Sequence, residues 1–317
     1  MRAVLTKFDP YKQVKARLDS LKMTGHNTEK IELIVLGGTW SYYNNTYQEW
    51  FIKRCFQACN TISKSQSLIS KQTLKQAQKI NEKAKHRIIG LTLETRPDYI
   101  DEEEIRRLRW LGATRIELGV QSIYDNVLKY NNRGHNVRAT IKATEILKNA
   151  GFKITYHIMP GLPRSTFQKD IKMFKELFSN NDFQPDQLKI YPCVVLKNAP
   201  LYKLWKNKKY KPYTEEQLIK LLAKIKRGIP PYVRIVRIIR DIPSQSIVAG
   251  SKTSNLRQTL EQQKVKCNCI RCREIKNQKS KILNFYDANI MHLAEKNCFY
   301  RLRTQRTINF LLFYVCG

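Results

Sequence analysis

The sequence predicts an α/β fold of the partial (β/α)6, TIM-like barrel type, followed by a short module that carries clustered cysteines. Short β-prone runs alternate with helical segments, and that alternation is typical of parallel βαβ units. Five or six such repeats lack a Rossmann-type glycine fingerprint, which favours a full or partial barrel. Beyond Gln258 the sequence changes to a cysteine-bearing stretch. Binding and catalytic residues are therefore expected at the carboxyl ends of the strands.

Six runs rich in β-branched and aromatic residues are predicted as strands. They are Ile31–Gly38, Ile88–Thr95, Arg115–Gln121, Phe152–Pro160, Gln187–Val195 and Tyr232–Ile239. For two of the helices between these strands, the sequence indicates where the helix begins and ends. Asp101 predicts an N-cap and Gly112 a stop for DEEEIRRLRWLG, and Asn136 and Gly151 bound NVRATIKATEILKNAG in the same way.

The charge of the chain points to a polyanionic partner. The sequence has 58 Lys and Arg against 26 Asp and Glu, a net charge of +32, which favours nucleic acid over an anionic membrane surface. The alternative explanations of this positive charge are a generally basic proteome and an effect on solubility that involves no partner. In YKLWKNKKYKPY, Tyr202–Tyr213, basic and aromatic residues interleave as in single-stranded nucleic-acid binding. The predicted RNA-binding residues are Lys206, Lys208, Lys209 and Lys211.

Neither a membrane-spanning apolar run nor a signal-peptide pattern is present, so no membrane partner is expected. Eight cysteines without an export signal predict reduced thiols in a cytoplasmic protein. Cys267, Cys269 and Cys272 form a C-x-C-x2-C cluster that fits a tetrahedral structural zinc site with an unidentified fourth ligand. The alternative for this cluster is three free cysteines that bind no metal. Cys55 and Cys59 have helical spacing and are predicted as core residues.

Polar and glycine-rich motifs occur at the predicted strand ends. They are GGT (Gly37–Thr39), ETRPD (Glu94–Asp98), GVQS (Gly119–Ser122), HIMPGLP (His157–Pro163) and YPCVV (Tyr191–Val195), with NNRGH (Asn131–His135) on a connecting loop. Each motif alone is weak evidence for a binding site. Paired glycines usually make a turn, and a Glu at a strand end usually makes a structural hydrogen bond. Together they predict one polar mouth that could bind a polar cofactor.

The order of these motifs, followed by RIIRDIP (Arg237–Pro243), resembles the radical S-adenosylmethionine domain of the Elongator protein 3 family over roughly residues 1–289. Enzymes of that family are tRNA acetyltransferases that make 5-carboxymethyl-type modifications at the wobble uridine. The resemblance implies S-adenosylmethionine as cofactor and tRNA and acetyl-CoA as partners. Whether other Elongator-type subunits or a second copy assist is left open. The cysteine cluster resembles the zinc element of the family.

The resemblance also implies a role for individual positions. The amino end of S-adenosylmethionine would lie at Gly37, Gly38 and Thr39, and its ribose and carboxylate at Glu94, Gln121 and Ser122. Two residues facing substrate are candidate catalytic residues, Tyr191 and His135. In the full reaction an adenosyl radical would take hydrogen from the acetyl methyl group. The carbon radical would then add to C5 of the uridine, and thioester hydrolysis would leave a carboxymethyl group.

The chain departs from the family at both ends. The family places its three 4Fe–4S cysteines before the segment that begins here as MRAVLTKFDPYK, so we expect the first strand and the cluster ligands to be missing. We divide the chain into a barrel (1–258), a zinc-binding linker (259–289) and an irregular tail (290–317). A shifted reading frame of the tail resembles the start of a GNAT acetyltransferase domain. We hypothesise an out-of-frame reading, with a divergent extension as the alternative.

Three functions follow from these features. The first is tRNA wobble-uridine modification, with this chain an incomplete version of the enzyme. The second is a non-catalytic tRNA-binding barrel, which would neither take up iron nor reduce S-adenosylmethionine. The third is a barrel enzyme for phosphate-bearing substrates, for which Glu94 and His157 form the one acid–base pair at the strand ends.

Overall fold

The computed structural model describes residues 2–60, 72–239, 242–274 and 309–314. Its strands are β1 Lys30–Leu36, β2 Arg87–Thr95, β3 Arg115–Gln121, β4 Lys153–Ile158, β5 Gln187–Ile190, β6 Val195–Leu196, β7 Arg234–Arg237, β8 Ile247–Ala249 and β9 Asn309–Tyr314. Seven of them form one parallel sheet in the order β7-β5-β4-β3-β2-β1-β9. This half-barrel sheet confirms the predicted α/β class and the partial barrel.

Helices connect the strands of this sheet. They are α1 Arg2–Leu5, α2 Pro10–Met23, α3 Asn45–Asn60, α4 Leu74–Asn81, α5 Glu102–Leu111, α6 Asp125–Tyr130, α7 Val137–Asn149, α8 Phe167–Ser179, α9 Leu201–Lys206, α10 Glu215–Arg227 and α11 Leu256–Gln262. Within the described ranges, no helix combines the length and the apolar character that crossing a membrane requires.

Local sequence explains where the helices begin and end. The Asp101 carboxylate accepts a hydrogen bond from the Glu104 N–H at 2.8 Å, and the Asn136 side chain accepts one from the Ala139 N–H at 2.9 Å. Both are N-caps, as predicted. Gly112 ends α5 with φ +90°, in the left-handed region that glycine adopts without strain.

The sheet buries an apolar layer against the helices on one face. Along β4, Ile154 and Tyr156 are fully buried, and the Tyr156 hydroxyl hydrogen-bonds to that of Thr144 on α7. Because side chains alternate across a strand, Thr155 and His157 point to the opposite, inner face. The helix-covered face therefore holds the main core, and the inner face is free for polar residues.

The fifth predicted strand is shorter than expected. β5 ends at Ile190, and Pro192 follows, which has no N–H to give to a sheet. Val195–Leu196 instead forms β6, which pairs antiparallel with β8. The predicted strand Tyr232–Ile239 is likewise reduced to Arg234–Arg237. The prediction of one continuous strand from Gln187 to Val195 was therefore wrong.

Part of the predicted irregular tail forms a strand. β9 lies parallel to β1, with Asn309 opposite Ile31 and Tyr314 opposite Leu36. A short apolar run can form a strand of a parallel sheet without any period of its own, so the absence of periodicity in NFLLFY was misleading. The rest of the tail, and the frameshift hypothesis attached to it, lies outside the described residues.

Candidate functional site

The inner face of the sheet carries several polar side chains. On β3 these are Arg115 and Glu117, which alternate with the buried Ile116 and Leu118; Gly119 follows, and the register shifts before Gln121. Near the amino ends of the strands, Arg115 pairs with Glu32 of β1 at 3.3 Å. A polar stripe therefore runs across the inner face and up to the carboxyl ends of the strands.

Four charged residues from four successive strands meet on this face, and we call them the buried quartet: Glu94, Glu117, His157 and Lys189. The strand register puts Glu94 beside Glu117 and His157 beside Lys189. His157 Nδ1 lies 3.3 Å from Glu94 Oε1, and its Nε2 lies 2.8 Å from Glu117 Oε2. The Lys189 ammonium contacts the same oxygen of Glu117. The side chain of Glu94 is 24% exposed, so the quartet reaches solvent through this residue.

The charges of the quartet support one another. Burial alone would raise the pKa of Glu117, but the hydrogen bond from His157 and the ammonium of Lys189 outweigh it and lower the pKa to about 2. Burial alone would lower the pKa of His157, but the carboxylates of Glu94 and Glu117 outweigh it and raise the pKa. With His157 protonated, two cations balance two anions in a site that excludes most water.

Glu94, Glu117 and His157 also have the ligand types and the spacing of a metal site, since their ligand atoms lie within 4.8 Å of one another. The imidazole, however, lies between the two carboxylates and faces one of them with each nitrogen. The Lys189 ammonium contacts the same Glu117 oxygen as His157 Nε2. These contacts make a hydrogen-bonded ion cluster the better explanation of the arrangement.

The glycines that follow β1 leave open space at the strand ends. Gly37 has φ +140° and Gly38 φ +100°, backbone conformations that favour glycine. No atom lies within 4 Å of where a Cβ on Gly38 would be. Thr39 begins the 3₁₀ turn Trp40–Tyr42, and its carbonyl accepts a hydrogen bond from the Tyr42 N–H at 3.1 Å. Exposed backbone next to open space is compatible with a polar cofactor such as S-adenosylmethionine.

Gln121 and Ser122 are held in a tight turn after β3. Gln121 has φ +64°, and its Nε2 lies 3.0 Å from where a Cβ on Gly119 would be, so the amide folds back over this glycine. The Ser122 hydroxyl accepts a hydrogen bond from the Tyr124 N–H at 3.3 Å. Both side chains are buried. The Gln121 amide thus lies over Gly119, and the Ser122 hydroxyl is used within its own turn.

The two candidate catalytic residues have different surroundings. The Tyr191 ring stands edge-on to the His157 ring, with centroids 5.4 Å apart, and thus belongs to the inner face. The His135 ring faces two carbonyl oxygens at 3.2 Å, those of Arg133 and Val120. Burial lowers the pKa of His135. These contacts tie the NNRGH loop to the end of β3.

The clustered cysteines lie along β7, the last strand at one edge of the sheet. The thiol sulfurs of Cys267, Cys269 and Cys272 are within 4.8 Å of one another, a spacing compatible with three Zn–S bonds of about 2.3 Å. Hydrogen bonds from the other two thiols lower the pKa of Cys269, and thiolate is the form that binds metals. No fourth His, Cys, Asp or Glu joins this group in the described ranges.

A 4Fe–4S cluster does not fit the cysteines of the described residues. The triplet lies against β7, and four strands separate β7 from β1. Cys55 and Cys59 are fully buried in α3, where burial raises the pKa of Cys59 to about 12. Their predicted role in core packing is confirmed.

The basic segment forms an exposed arm on the same rim as the strand ends. We call residues 201–213 the basic arm. Its four lysines predicted to bind RNA are exposed. The Tyr210 hydroxyl donates to the Gly161 carbonyl at 2.7 Å, and the Tyr213 hydroxyl donates to Asp170 Oδ2 at 2.7 Å. Because Gly161 follows β4, these bonds fix the arm beside the carboxyl ends of the strands.

Residues that the sequence interpretation missed are Glu117 and Lys189 of the quartet and the Glu32–Arg115 pair. A pattern in the sequence indicates some of them, because Arg115 and Glu117 alternate with apolar residues in RIEL, as Gln187, Lys189 and Tyr191 do in QLKIY. Their pairing depends on strand register, which the sequence does not specify.

Comparison with known proteins defines the class. The chain matches the Radical SAM superfamily over residues 12–177 and the Radical_SAM C-terminal domain over residues 185–265. Over half of the chain is covered by the first match alone, so the chain belongs to the Radical SAM superfamily.

Within the superfamily, the chain is homologous to tRNA uridine(34) acetyltransferases and to Elongator complex protein 3. It is 50% identical over 279 residues to the tRNA uridine(34) acetyltransferase of Methanocaldococcus jannaschii, covering 87% of this chain and 50% of the relative. It is 37% identical over 279 residues to Elongator complex protein 3 of Bos taurus, and the match covers 87% of this chain and 50% of that relative. The structure of an archaeal Methanocaldococcus infernus Elp3 with an N-terminal deletion superimposes with a TM-score of 0.80 at 50% identity, covering 86% of this chain and 63% of that chain. The chain thus spans about half the length of the curated relatives that it matches.

Proposed function

We propose that this chain is the S-adenosylmethionine-binding and tRNA-contacting barrel of an enzyme that modifies uridine 34 of tRNA. The observation that carries the proposal is the buried quartet, which orients Glu94 at the strand ends of a chain that is 50% identical to a tRNA uridine(34) acetyltransferase. Acetyl-CoA is the proposed acyl donor, and a 5-carboxymethyl group the proposed product. The proposed setting is cytoplasmic, and the proposed role of the cysteine cluster is structural zinc binding.

Each group of residues has a proposed task. Gly37, Gly38 and Thr39 bind the amino end of S-adenosylmethionine through backbone groups that a side chain would otherwise cover. Glu94, with Gln121 and Ser122, binds its ribose and carboxylate. In this superfamily the bound cofactor supplies radical chemistry. The protein holds the cofactor against the substrate and keeps water out.

The quartet gives Glu94 a fixed orientation. Its carboxylate faces His157 Nδ1 at 3.3 Å, and His157 is itself held by Glu117. A carboxylate oriented in this way can accept hydrogen bonds from a ribose without reorganising. Tyr191, whose ring meets that of His157, and His135 are the proposed substrate-facing residues. tRNA is proposed to lie along the basic arm.

Equilibrium dialysis with labelled S-adenosylmethionine tests the cofactor site. Wild type is expected to bind, and Glu94→Gln to bind at least ~10-fold more weakly, since a charge-assisted hydrogen bond contributes roughly 1.5–3 kcal/mol. Glu102→Gln, on the exposed face of α5, is the matched control and is expected to bind as wild type does. Equal binding by Glu94→Gln and wild type would remove Glu94 from the site.

A non-catalytic tRNA-binding barrel is the second candidate. The observation that favours it is that no cysteine triplet lies beside β1 in the part of the chain that the structure describes. The same dialysis, combined with tRNA binding by fluorescence anisotropy, separates the two candidates. Binding of tRNA without any binding of S-adenosylmethionine supports the second candidate, and binding of both supports the first.

A further inference from the structure

A cleft separates the basic arm from the turn that follows β8. It has a volume of about 440 Å³. Trp205, Lys211 and Tyr213 line it from the arm, and Gly250 and Lys252 line it from the turn. Neither the quartet nor the glycine turn after β1 contributes to its walls. The cleft is therefore separate from the cofactor site proposed above.

The arm side of the cleft is anchored through Asp170 of α8. Asp170 is almost fully buried, and its carboxylate accepts three hydrogen bonds. The donors are the Gly161 N–H at 2.7 Å, the Ser165 hydroxyl at 2.6 Å and the Tyr213 hydroxyl at 2.7 Å. A Cβ on Gly161 would lie 3.1 Å from the Tyr213 ring, so ring and turn are in close contact. This wall of the cleft is therefore preformed in the absence of a ligand.

The opposite wall is also held in place. β8 pairs with β6, with Val195 opposite Ala249. Gly250 has φ +105°, and a Cβ there would lie 3.1 Å from Val194 Cγ1, so the turn passes close to the chain before β6. The next residues form a hydrogen-bonded turn, because the Thr253 N–H donates to the Ser251 hydroxyl at 3.3 Å. The Thr253 hydroxyl donates to Glu215 Oε2 at 2.6 Å, which ties this turn to the first residue of α10 and holds the one carboxylate of the cleft lining.

The remaining groups of the cleft are one partly exposed indole and two exposed ammonium groups. Trp205 is half-buried and packs against the Tyr202 ring with centroids 5.6 Å apart, which fixes the plane of the indole. Lys211 and Lys252 are exposed. An aromatic ring that can stack a base, beside cations that can bind phosphates, is the combination used by proteins that bind single-stranded nucleic acid. The net charge of +32 favours the same class of ligand.

We infer that this cleft is a binding site for one unstacked nucleotide of an RNA, with the base stacked on Trp205 and the adjoining phosphates at Lys211 and Lys252. The Asp170–Tyr213 hydrogen bond is a positioning contact that keeps the site formed. The inference rests on the proposed function in one respect, the identification of the ligand as RNA. It adds a site that the cofactor-binding residues do not supply.

Stacking and phosphate contacts respond differently to salt, and this difference is the test. Binding of tRNA and of a short single-stranded RNA is measured by fluorescence anisotropy over a range of salt concentrations. Trp205→Ala is expected to weaken binding by ~5- to 100-fold with the salt slope unchanged, because stacking releases no counterions. Trp205→Phe should recover part of the loss. Lys252→Ala is expected to reduce the salt slope by about 0.7.

Matched controls separate this site from general effects. Trp50→Ala removes an exposed indole on α3, and Lys79→Ala removes an exposed lysine on α4, both outside the cleft. Neither should reproduce the effect of its counterpart in the cleft. If wild type binds no RNA, the proposed tRNA function fails. If wild type binds RNA and Trp205→Ala binds equally well, the nucleotide site is wrong and the proposed function stands.

The positioning role of Asp170 is tested by a double-mutant cycle. Tyr213→Phe removes only the hydroxyl that donates to Asp170. Tyr124→Phe is the control, since it removes a comparable hydroxyl that donates to the Lys169 carbonyl at 3.1 Å. Tyr213→Phe should weaken RNA binding, and its effect should be less than additive with that of Trp205→Ala. Strict additivity, or an equal loss in Tyr124→Phe, would overturn the positioning role.

Discussion

His157 Nε2 lies 2.8 Å from Glu117 Oε2, and the opposite nitrogen of the same ring faces Glu94 Oε1 at 3.3 Å. One imidazole thus joins a carboxylate that is 2% exposed to one that is 24% exposed. A neutral imidazole has a single N–H and can donate to only one of them, whereas the protonated ring donates to both. The protonation of His157 therefore decides whether both carboxylates are held at once.

The first prediction concerns pH. The pKa of His157 is raised in the folded protein, so its contribution to stability is fully present below the unfolded pKa of about 6.5 and is lost as pH rises through the folded value. In urea unfolding, His157→Asn should be less stable than wild type at about pH 6, and the difference should shrink as pH rises through the raised pKa of His157.

The control for this experiment is His26→Asn, which removes an exposed histidine. Its stability relative to wild type should change little over the same range. A constant difference between wild type and His157→Asn at every pH would show that packing, and not charge, explains the cost of the substitution.

The second prediction concerns the buried pair of Glu117 and Lys189. Glu117→Gln leaves Lys189 and His157 without a full counter-charge, and removing one partner of a buried pair costs about 3 to 5 kcal/mol. The variant Glu117→Gln with Lys189→Met removes a charge of each sign and should be more stable than Glu117→Gln alone. The free energy of unfolding in urea measures both. A double variant less stable than either single variant would contradict the charge-balance argument.

Low pH tests the same carboxylate. The pKa of Glu117 is lowered to about 2, so its contribution is present above the unfolded pKa and is lost as pH falls towards about 2. Acid unfolding of Glu117→Gln should therefore show a weaker dependence on pH below about 4.5 than that of wild type. Parallel acid-unfolding curves for the two proteins would count against a paired Glu117.

The third prediction concerns the cysteine module. Cys269→Ser should lower both the bound zinc, measured by atomic emission, and the midpoint of thermal unfolding, because a structural zinc site contributes to folding. Cys59→Ser is the matched control: it replaces a fully buried thiol in α3 and should cost stability without changing the zinc content. Unchanged metal content in Cys269→Ser would refute the zinc assignment.

The fourth prediction concerns the basic arm. Reversing two exposed charges, Lys208→Glu with Lys209→Glu, should weaken tRNA binding and flatten its dependence on salt by about 0.7 to 0.9 for each phosphate that the arm no longer neutralises. Lys75→Glu with Lys79→Glu, which reverses two exposed lysines on α4, is the control for the change of overall charge. A salt slope equal to that of wild type would show that these lysines do not contact RNA.

Local chemistry explains what could be predicted from the sequence. The caps at Asp101 and Asn136 and the stop at Gly112 depend on near neighbours and were found at the predicted residues. The class of fold followed from the alternation of strands and helices. By contrast, β9 pairs with β1 across more than 270 residues of sequence, and nothing local in NFLLFY identifies its partner.

The candidate site was predicted less completely than the fold. Glu94 and His157 were recognised as a pair because both follow from strand-end motifs, and their ligand atoms are indeed 3.3 Å apart. Glu117 and Lys189 lie deeper on the same face, and the register between β3, β4 and β5 brings them together. Register depends on packing of the whole sheet, so their contact could not be read from either strand alone.

The cysteine module also has a consequence for solubility. Among the described residues β7 is the last strand on its side of the sheet, and the module contacts its free edge: the Ile270 N–H donates to the Val233 carbonyl, just before β7, at 2.9 Å, and the Arg271 guanidinium donates to the Val236 carbonyl at 3.0 Å. An uncovered edge strand can pair with another molecule and lead to aggregation. By covering this edge, the cysteine module would keep separate copies of the protein from joining sheet to sheet.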